Sequence, residues 1–320
     1  MPNANNISRT LLLIEKSSHC LSFYDTEVGT LLDSIALPDY PHEFTVDAAE
    51  EYAYVGHYGV KTSAINDVGG SSVFVIDIAN RRLERTIDCR PFRRLHGVGL
   101  DEQDRLHVLS ETDAVILRFD EPRTATAPTR GVPTGGLKSH LFALTRDGRW
   151  AFCMNLLSHT VSKISPIDAS IAPVVISPGV KPEGLFLTKD EKTLFVSNRV
   201  SNTLVAIATD TMTVTREAKV RDDPARICGM PDGRLLVANY ENRSVSAVNA
   251  DTFEETDFLE LPGRPAAACI DSHTNTAIIA VDSNQCFKIN LSTMEIVGSF
   301  QTKLEPDCCY VLGSRKNSQQ

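Results

Sequence analysis

Three histidines offer this chain its most versatile chemistry. His42 stands at the head of the run PHEFTVD, His96 of LHGVGLD and His140 of SHLFALT. Imidazole titrates near neutral pH, so each can give or take a proton, and each can ligate a divalent metal. Carboxylates occupy comparable places: Glu43 follows His42, Glu183 heads PEGLFLT, and Glu111 closes LHVLSE. A carboxylate beside an imidazole can orient it or act as its partner base. Arg226 sits in PARICGM, and Arg199 and Lys181 add further fixed positive charge. Bases facing cations would suit an anionic or enolate-forming small molecule. His42, His96, His140, Glu43, Glu111, Glu183 and Arg226 are therefore the candidate catalytic residues, and His57, Tyr58, Arg199, Asn239 and Tyr240 the candidate substrate contacts. Three imidazoles on neighbouring strands could also hold Zn, Fe, Mn or Ni with positions open for water and substrate, which makes His42, His96 and His140 candidate metal ligands.

No linear motif supplies an alternative. The chain has no Gly-x-Ser-x-Gly elbow, no HExxH, no dinucleotide fingerprint or P-loop, and no CxxCH for covalent haem. Covalent catalysis is not expected, and a divalent metal is the one cofactor in view.

The elements that position these residues are read from a repeat. LFVSNRVSNTLVAIATDTMTV (194–214) recurs as LLVANYENRSVSAVNADTFEE (235–255) and, earlier, as AFCMNLLSHTVSKISPIDASI (151–171). Each unit is a β-branched strand, a polar corner and a second strand. A polar or proline corner followed by an alternating strand recurs at His42, His96, His140, Glu183, Arg226, Ala266 and Asp307, at intervals of 54, 44, 43, 43, 40 and 41 residues. A period in the low forties with several short strands per unit is the spacing of β-propeller blades. Each unit reads as four strands joined by hairpins. The start (10–37) supplies second, third and fourth strands with no first strand, and 306–312 is a first strand with nothing after it. The two ends are expected to share one blade and close a ring of seven, leaving no open sheet edge around the circle. The expected fold is all-β, one propeller domain over 1–320, with repeats at about 10–312. Two loops exceed the pattern, 57–72 and 120–140, and loops of that length are often lids or binding loops.

The LFVSN and LLVAN units, each followed by a strand such as NTLVAI or RSVSAV, resemble the YVTN-type repeat, and 10–312 fits that family of seven-bladed propellers, which includes lactonase-like members. In blades with VGHYG and VLSETD the Asn is replaced. The resemblance implies the fold but no single activity, since lactonases, lyases, isomerases and binding scaffolds share it. In such a ring the first strands line the central channel. Their starts share a rim with the ends of the second strands, so the candidate residues should converge on one funnel mouth, a concave polar site. His159 lies just past the same rim. The Asn of VSN and VAN is expected to cap its hairpin backbone by side-chain hydrogen bonds.

Composition limits the partners. The chain has 320 residues, 42% hydrophobic and 23% charged, with a net charge of −9. It reads as globular, and the charge argues against binding nucleic acid or an anionic membrane. The start has no basic region and only the short apolar run LLLI, so no export signal is read and a cytoplasmic location is expected. Eight cysteines without CxxC spacing are expected to be reduced and mostly buried. Cys308 and Cys309 are expected to face opposite ways, because strand side chains alternate. Aromatic residues are 7% and the one tryptophan, Trp150, is placed in a buried second strand. Few aromatic anchors favour a small-molecule funnel over a broad protein-docking rim. The function expected is therefore a small-molecule enzyme, a lyase, a hydrolase of lactonase type, or an isomerase or cyclase, acting by acid–base or metal-assisted chemistry. The alternative is a non-catalytic binding propeller.

Overall fold

The computed structural model describes residues 9–314. It contains seven four-stranded antiparallel sheets. Six are written in chain order, each running from the channel outward: Pro41–Asp88, Leu95–Pro133, Ser139–Ile176, Pro182–Lys219, Pro224–Glu260 and Pro265–Gln301. In the remaining sheet the last strand, Pro306–Val311, pairs with the first, Thr10–Glu15, and is followed by Cys20–Asp25 and Leu31–Ala36. This sheet is blade 1, and the others are blades 2 to 7. The ring closes as the repeat predicts.

The strand chemistry follows the layers. Second and third strands are almost wholly buried, as in Thr193–Asn198 and Thr203–Ala208. They are sandwiched between neighbouring blades and are accordingly continuous runs of Val, Leu, Ile, Ala and Phe. Fourth strands such as Thr213–Lys219 lie on the outer wall and carry Thr, Arg, Glu and Lys. The core is a set of inter-blade clusters. One packs Leu12, Ile14 and Phe23 of blade 1 on Val46, Val55 and Phe74 of blade 2. Cys308 belongs to this cluster and Cys309 to the one between blades 7 and 1, so the two thiols do face opposite ways. All eight cysteines are free.

Two expectations are revised. The 120–140 stretch is not one loop, because Arg130–Pro133 forms the fourth strand of blade 3. Its Pro and Gly content fits an outer edge strand, where one row of backbone groups needs no partner. Trp150 precedes its strand, Ala151–Asn155, and is half-buried, with the Lys163 ammonium 4.6 Å from its ring centre. No helix among the described residues is long and apolar enough to cross a membrane.

Every first strand carries a register shift against its second strand, and the shift falls at the rim. Pro41 pairs with His57, but pairing resumes only at Phe44 with Val55, so His42 and Glu43 fall in the gap. The same irregularity brackets His96, His140, Glu183, Ala225, Ala266 and Asp307. A bulge leaves its residue unpaired and re-aims its side chain. Seven bulges thus turn one residue per blade toward the mouth. Ala225, not Arg226, is the true counterpart of His42 and Glu183. Arg226 is one residue further along and shares its position with Glu43, which is why these two meet inside the channel.

Candidate active site

The second-strand ends obey an equally simple rule. In five of the seven blades the last strand residue packs between blades, and the next side chain, on the opposite face, lines the funnel. Asn155, Asn198 and Asn239 are the buried ones. Asn155 donates to Thr160 and Ser162 at 3.2 and 3.1 Å, Asn198 to Thr203 at 3.0 Å and to the Pro178 carbonyl at 3.2 Å, and Asn239 to Ser244 and Ser246 at 3.1 and 2.9 Å. These amides bind mainly third-strand hydroxyls, rather than the hairpin backbone that the sequence pattern led us to expect. Glu15 does the same work in blade 1, accepting from Ser22 and, at 2.6 Å, from Tyr24. The residues that follow, Lys16, Tyr58, Arg199, Tyr240 and Asp282, line a cavity of about 260 Å³ at the mouth, together with His42, His140, Glu183, Arg226 and Asp307.

Two candidate substrate contacts are therefore corrected. Asn239 is fully buried and committed to its two serines. His57 packs against Phe74, with 5.1 Å between ring centres, and reaches Asp39 at 3.4 Å, away from the cavity. Both are the last residues of their second strands, so alternation turns them away from the funnel and between blades. Tyr58, Arg199 and Tyr240 are brought together as expected. His159 forms the αL corner of a hairpin (φ 57°), where its Nδ1 accepts from the Lys181 N–H at 3.3 Å, and it stays off the cavity wall.

The three rim histidines form a stack. Ring centres are 4.2 Å apart for His42 and His96, and 3.6 Å for His96 and His140. Tyr58 meets both His42 and His96 edge-on at 5.1 and 4.9 Å. The stack faces three imidazoles toward one another, so their nitrogens do not converge on one point. The donor sets that lie within 4.8 Å each join two histidines to a carboxylate: His42, Glu43 and His96, or His96, Glu111 and His140. Burial holds His42 and His96 well below the usual imidazole range, with Lys16 opposing protonation of His42 and His140 opposing that of His96.

Each outer histidine has a carboxylate partner. His140 Nδ1 lies 2.8 Å from Glu111 Oε2. Glu111 also accepts from the Tyr58 hydroxyl at 2.9 Å and faces Arg94 at 3.9 Å. His42 Nε2 lies 3.2 Å from Asp307, which Lys16 bonds at 2.7 Å. Burial opposes a charge on Lys16, but Asp307 and Glu305 outweigh it and raise its pKa.

The cations are not a free clamp. Arg226 bonds Glu183 at 3.1 Å and Glu43 at 3.4 Å, and lies 4.0 Å from Asp307. Arg199 holds Glu183 at 2.9 Å and is tied to Asp223 through two further bonds. Burial opposes ionisation of Glu183, but Arg199, His140 and Arg226 hold its carboxyl at about 2. Burial pushes Glu43 up, and Arg226 offsets this only in part.

Lys16, Asp282 and Asp307 are cavity residues that sequence reasoning left unassigned, although all three stand at the corner positions that mark the others. The 57–72 loop also reaches the mouth. Lys61, Thr62 and Ser63 line the cavity. Lys61 meets Glu305 across it at 3.4 Å, Lys138 donates to the Ser63 carbonyl at 2.9 Å, and Arg94 donates to the Asp67 carbonyl at 2.7 Å.

The fold and site together describe a closed seven-bladed β-propeller with a polar, histidine-rich funnel. Residues 143–243, running from blade 4 into blade 6, match the family model described as a YNCE-like beta-propeller. The resemblance drawn from the YVTN-type repeat is thus borne out over these blades. No curated protein matches the sequence. Among solved structures, a Bacteroides fragilis protein provisionally assigned as a 6-phosphogluconolactonase superposes with a TM-score of 0.77 at 15% identity, covering 97% of this chain and 99% of its own. The periplasmic gluconolactonase of Pseudomonas aeruginosa gives 0.75 at 14% identity, with 96% and 99% covered. A chain of the mitotic checkpoint complex gives 0.72 at 10% identity, with 92% and 84% covered. At these identities the likeness establishes the fold alone, and it spans both enzymes and assembly components.

Proposed function

We propose that this protein is a small-molecule hydrolase of the lactonase type, with His140 as the base that activates water in the funnel. The observation that carries this reading is the buried Glu111–His140 bond, 2.8 Å long, with His140 on the cavity wall. Glu111 is itself fixed by Tyr58 and Arg94. With Nδ1–H donated to Glu111, His140 Nε2 carries the lone pair. It takes a proton from water as the oxygen bonds to a lactone carbonyl carbon. The ring C–O bond then breaks, and the leaving alkoxide recovers that proton from His140. Lys16, held charged by Asp307, lines the same cavity and can face the developing oxyanion. Because the arginines are already paired, the funnel suits a neutral polyhydroxy lactone better than a polyanion. The likeness to structures described as lactonases agrees with this reading.

The test is hydrolysis of glucono-δ-lactone and its 6-phosphate above the spontaneous rate, followed with a pH indicator. His140→Ala and Glu111→Gln should each lower kcat by about 10²–10⁴. A wild-type protein that hydrolyses neither lactone, or a His140→Ala variant at full rate, would sink the reading and leave the funnel as a binding site.

A further inference from the structure

The histidine stack leaves three ring nitrogens without a hydrogen bond. Among the described residues, His42 Nδ1 and both nitrogens of His96 are buried and have no hydrogen-bond partner. His96 is fully buried. A polar atom withdrawn from water without a partner costs as much as a lost hydrogen bond, so three in one place mark a position that something else fills.

Their surroundings say what fills it. His42 Nε2 lies 3.2 Å from Asp307. Donation of Nε2–H to that carboxylate fixes the tautomer and turns a lone pair on Nδ1 inward. Metal-binding imidazoles are held in this way by an outer carboxylate. Glu43 Oε1 lies 3.9 Å from the same Nδ1. One donor atom each from His42, Glu43 and His96 falls within 4.8 Å of the others. Ligands around a tetrahedral ion with bonds of about 2.1 Å stand roughly 3.4 Å apart. Small rotations of the three side chains would therefore close the set.

We infer that His42, Glu43 and His96 form a binding site for a divalent transition metal, with Asp307 orienting His42 from behind. Two imidazoles and one carboxylate suit Zn, Fe(II) or Mn, and no thiolate joins them to favour Cu(I). Arg226 meets Glu43 Oε1 at a long 3.4 Å, and the carboxylate has a second oxygen. The rival set, His96, Glu111 and His140, is less open. Its Glu111–His140 contact is already a 2.8 Å hydrogen bond, and Tyr58 occupies Glu111 as well. The inference goes beyond the hydrolase reading and does not depend on it.

The experiment uses the full chain, stripped with EDTA and titrated with Co(II), read by visible d–d absorption and by calorimetry. We expect about one equivalent to bind. His96→Ala should abolish binding, and Glu43→Gln and Asp307→Asn should weaken it by roughly 10- to 100-fold. His140→Ala should leave binding intact. Far-UV circular dichroism checks each variant. If His96→Ala does not fold, the Glu43 and Asp307 variants decide the matter. Absence of wild-type binding would overturn the site. Loss of binding in His140→Ala with retention in Glu43→Gln would also overturn it, by assigning the ion to the rival set. Neither outcome depends on lactone hydrolysis, so the two readings fail separately.

Discussion

Replacing Arg226 with Met tests how the channel is held together. The Arg226 side chain is 18% exposed, Glu43 14% and Glu183 5%. In Arg226→Met, Glu183 keeps Arg199 at 2.9 Å and Asp307 keeps Lys16 at 2.7 Å. Glu43 keeps the Cys308 thiol and, at 3.9 Å, His42, and burial holds both of these groups neutral. The cost thus concentrates on one buried carboxylate. Removing one member of a buried ion pair costs about 3–5 kcal/mol, because the other charge is left behind. Glu43, already pushed up by burial, can escape by taking a proton. A carboxyl whose folded pKa is raised carries no penalty below its unfolded pKa and the full penalty above its folded one, so the cost should shrink as pH falls through that window. The assay is urea unfolding with a chelator present, followed through the single Trp150, for the wild type, both single variants and Glu43→Gln/Arg226→Met. The double variant should recover about 1–3 kcal/mol relative to the sum of the singles. A coupling below about 0.5 kcal/mol, or a cost that grows at low pH, would refute the argument that Glu43 depends on Arg226.

Asn239→Ala removes two buried hydrogen bonds and leaves the Ser244 and Ser246 hydroxyls short of a donor. It should cost about 1–3 kcal/mol in urea unfolding while leaving funnel turnover unchanged. Asp101 is buried beside His107 at 3.2 Å and Arg105 at 2.6 Å. Burial opposes its ionisation, but bonds from His107 and Arg105 hold its carboxyl at about 2, against an ordinary 3.8. A depressed carboxyl stabilises the fold above its unfolded pKa and loses that contribution as pH falls through the folded one. About 1–2 kcal/mol, after allowance for solvent screening, should therefore vanish between roughly pH 4 and 2. Urea midpoints across that range should show this loss in the wild type, and Asp101→Asn should lack it.

Much of the fold was legible because a propeller repeats its instructions. Buried second and third strands must be apolar on both faces, outer fourth strands must not, and the period of about forty residues follows from four strands and their turns. The shared blade was readable from a chain that begins on a second strand and ends on a first. The 120–140 segment was harder, because an edge strand such as Arg130–Pro133 needs little apolar patterning. His57 and Asn239 were misassigned for one reason. The distance along the chain between a strand's last residue and its successor is a single step, but alternation turns their side chains to opposite faces. Lys16 and Asp307 stood in the right places but carried no distinguishing neighbours in sequence.

The sequence by itself determined the strand order, the seven-fold ring and the gathering of His42, His96, His140 and Glu183 at one rim, since each follows from local patterning repeated at a fixed period. Tertiary structure alone decided which groups pair. The bulges that re-aim the rim residues, the one-residue offset that sets Arg226 opposite Glu43 across the channel, and the stacking that leaves the His96 nitrogens without a hydrogen bond all arise from contacts between residues far apart in sequence, such as Glu43 and Arg226 at 183 positions. Such contacts depend on how seven blades close around one axis, and no single repeat contains them.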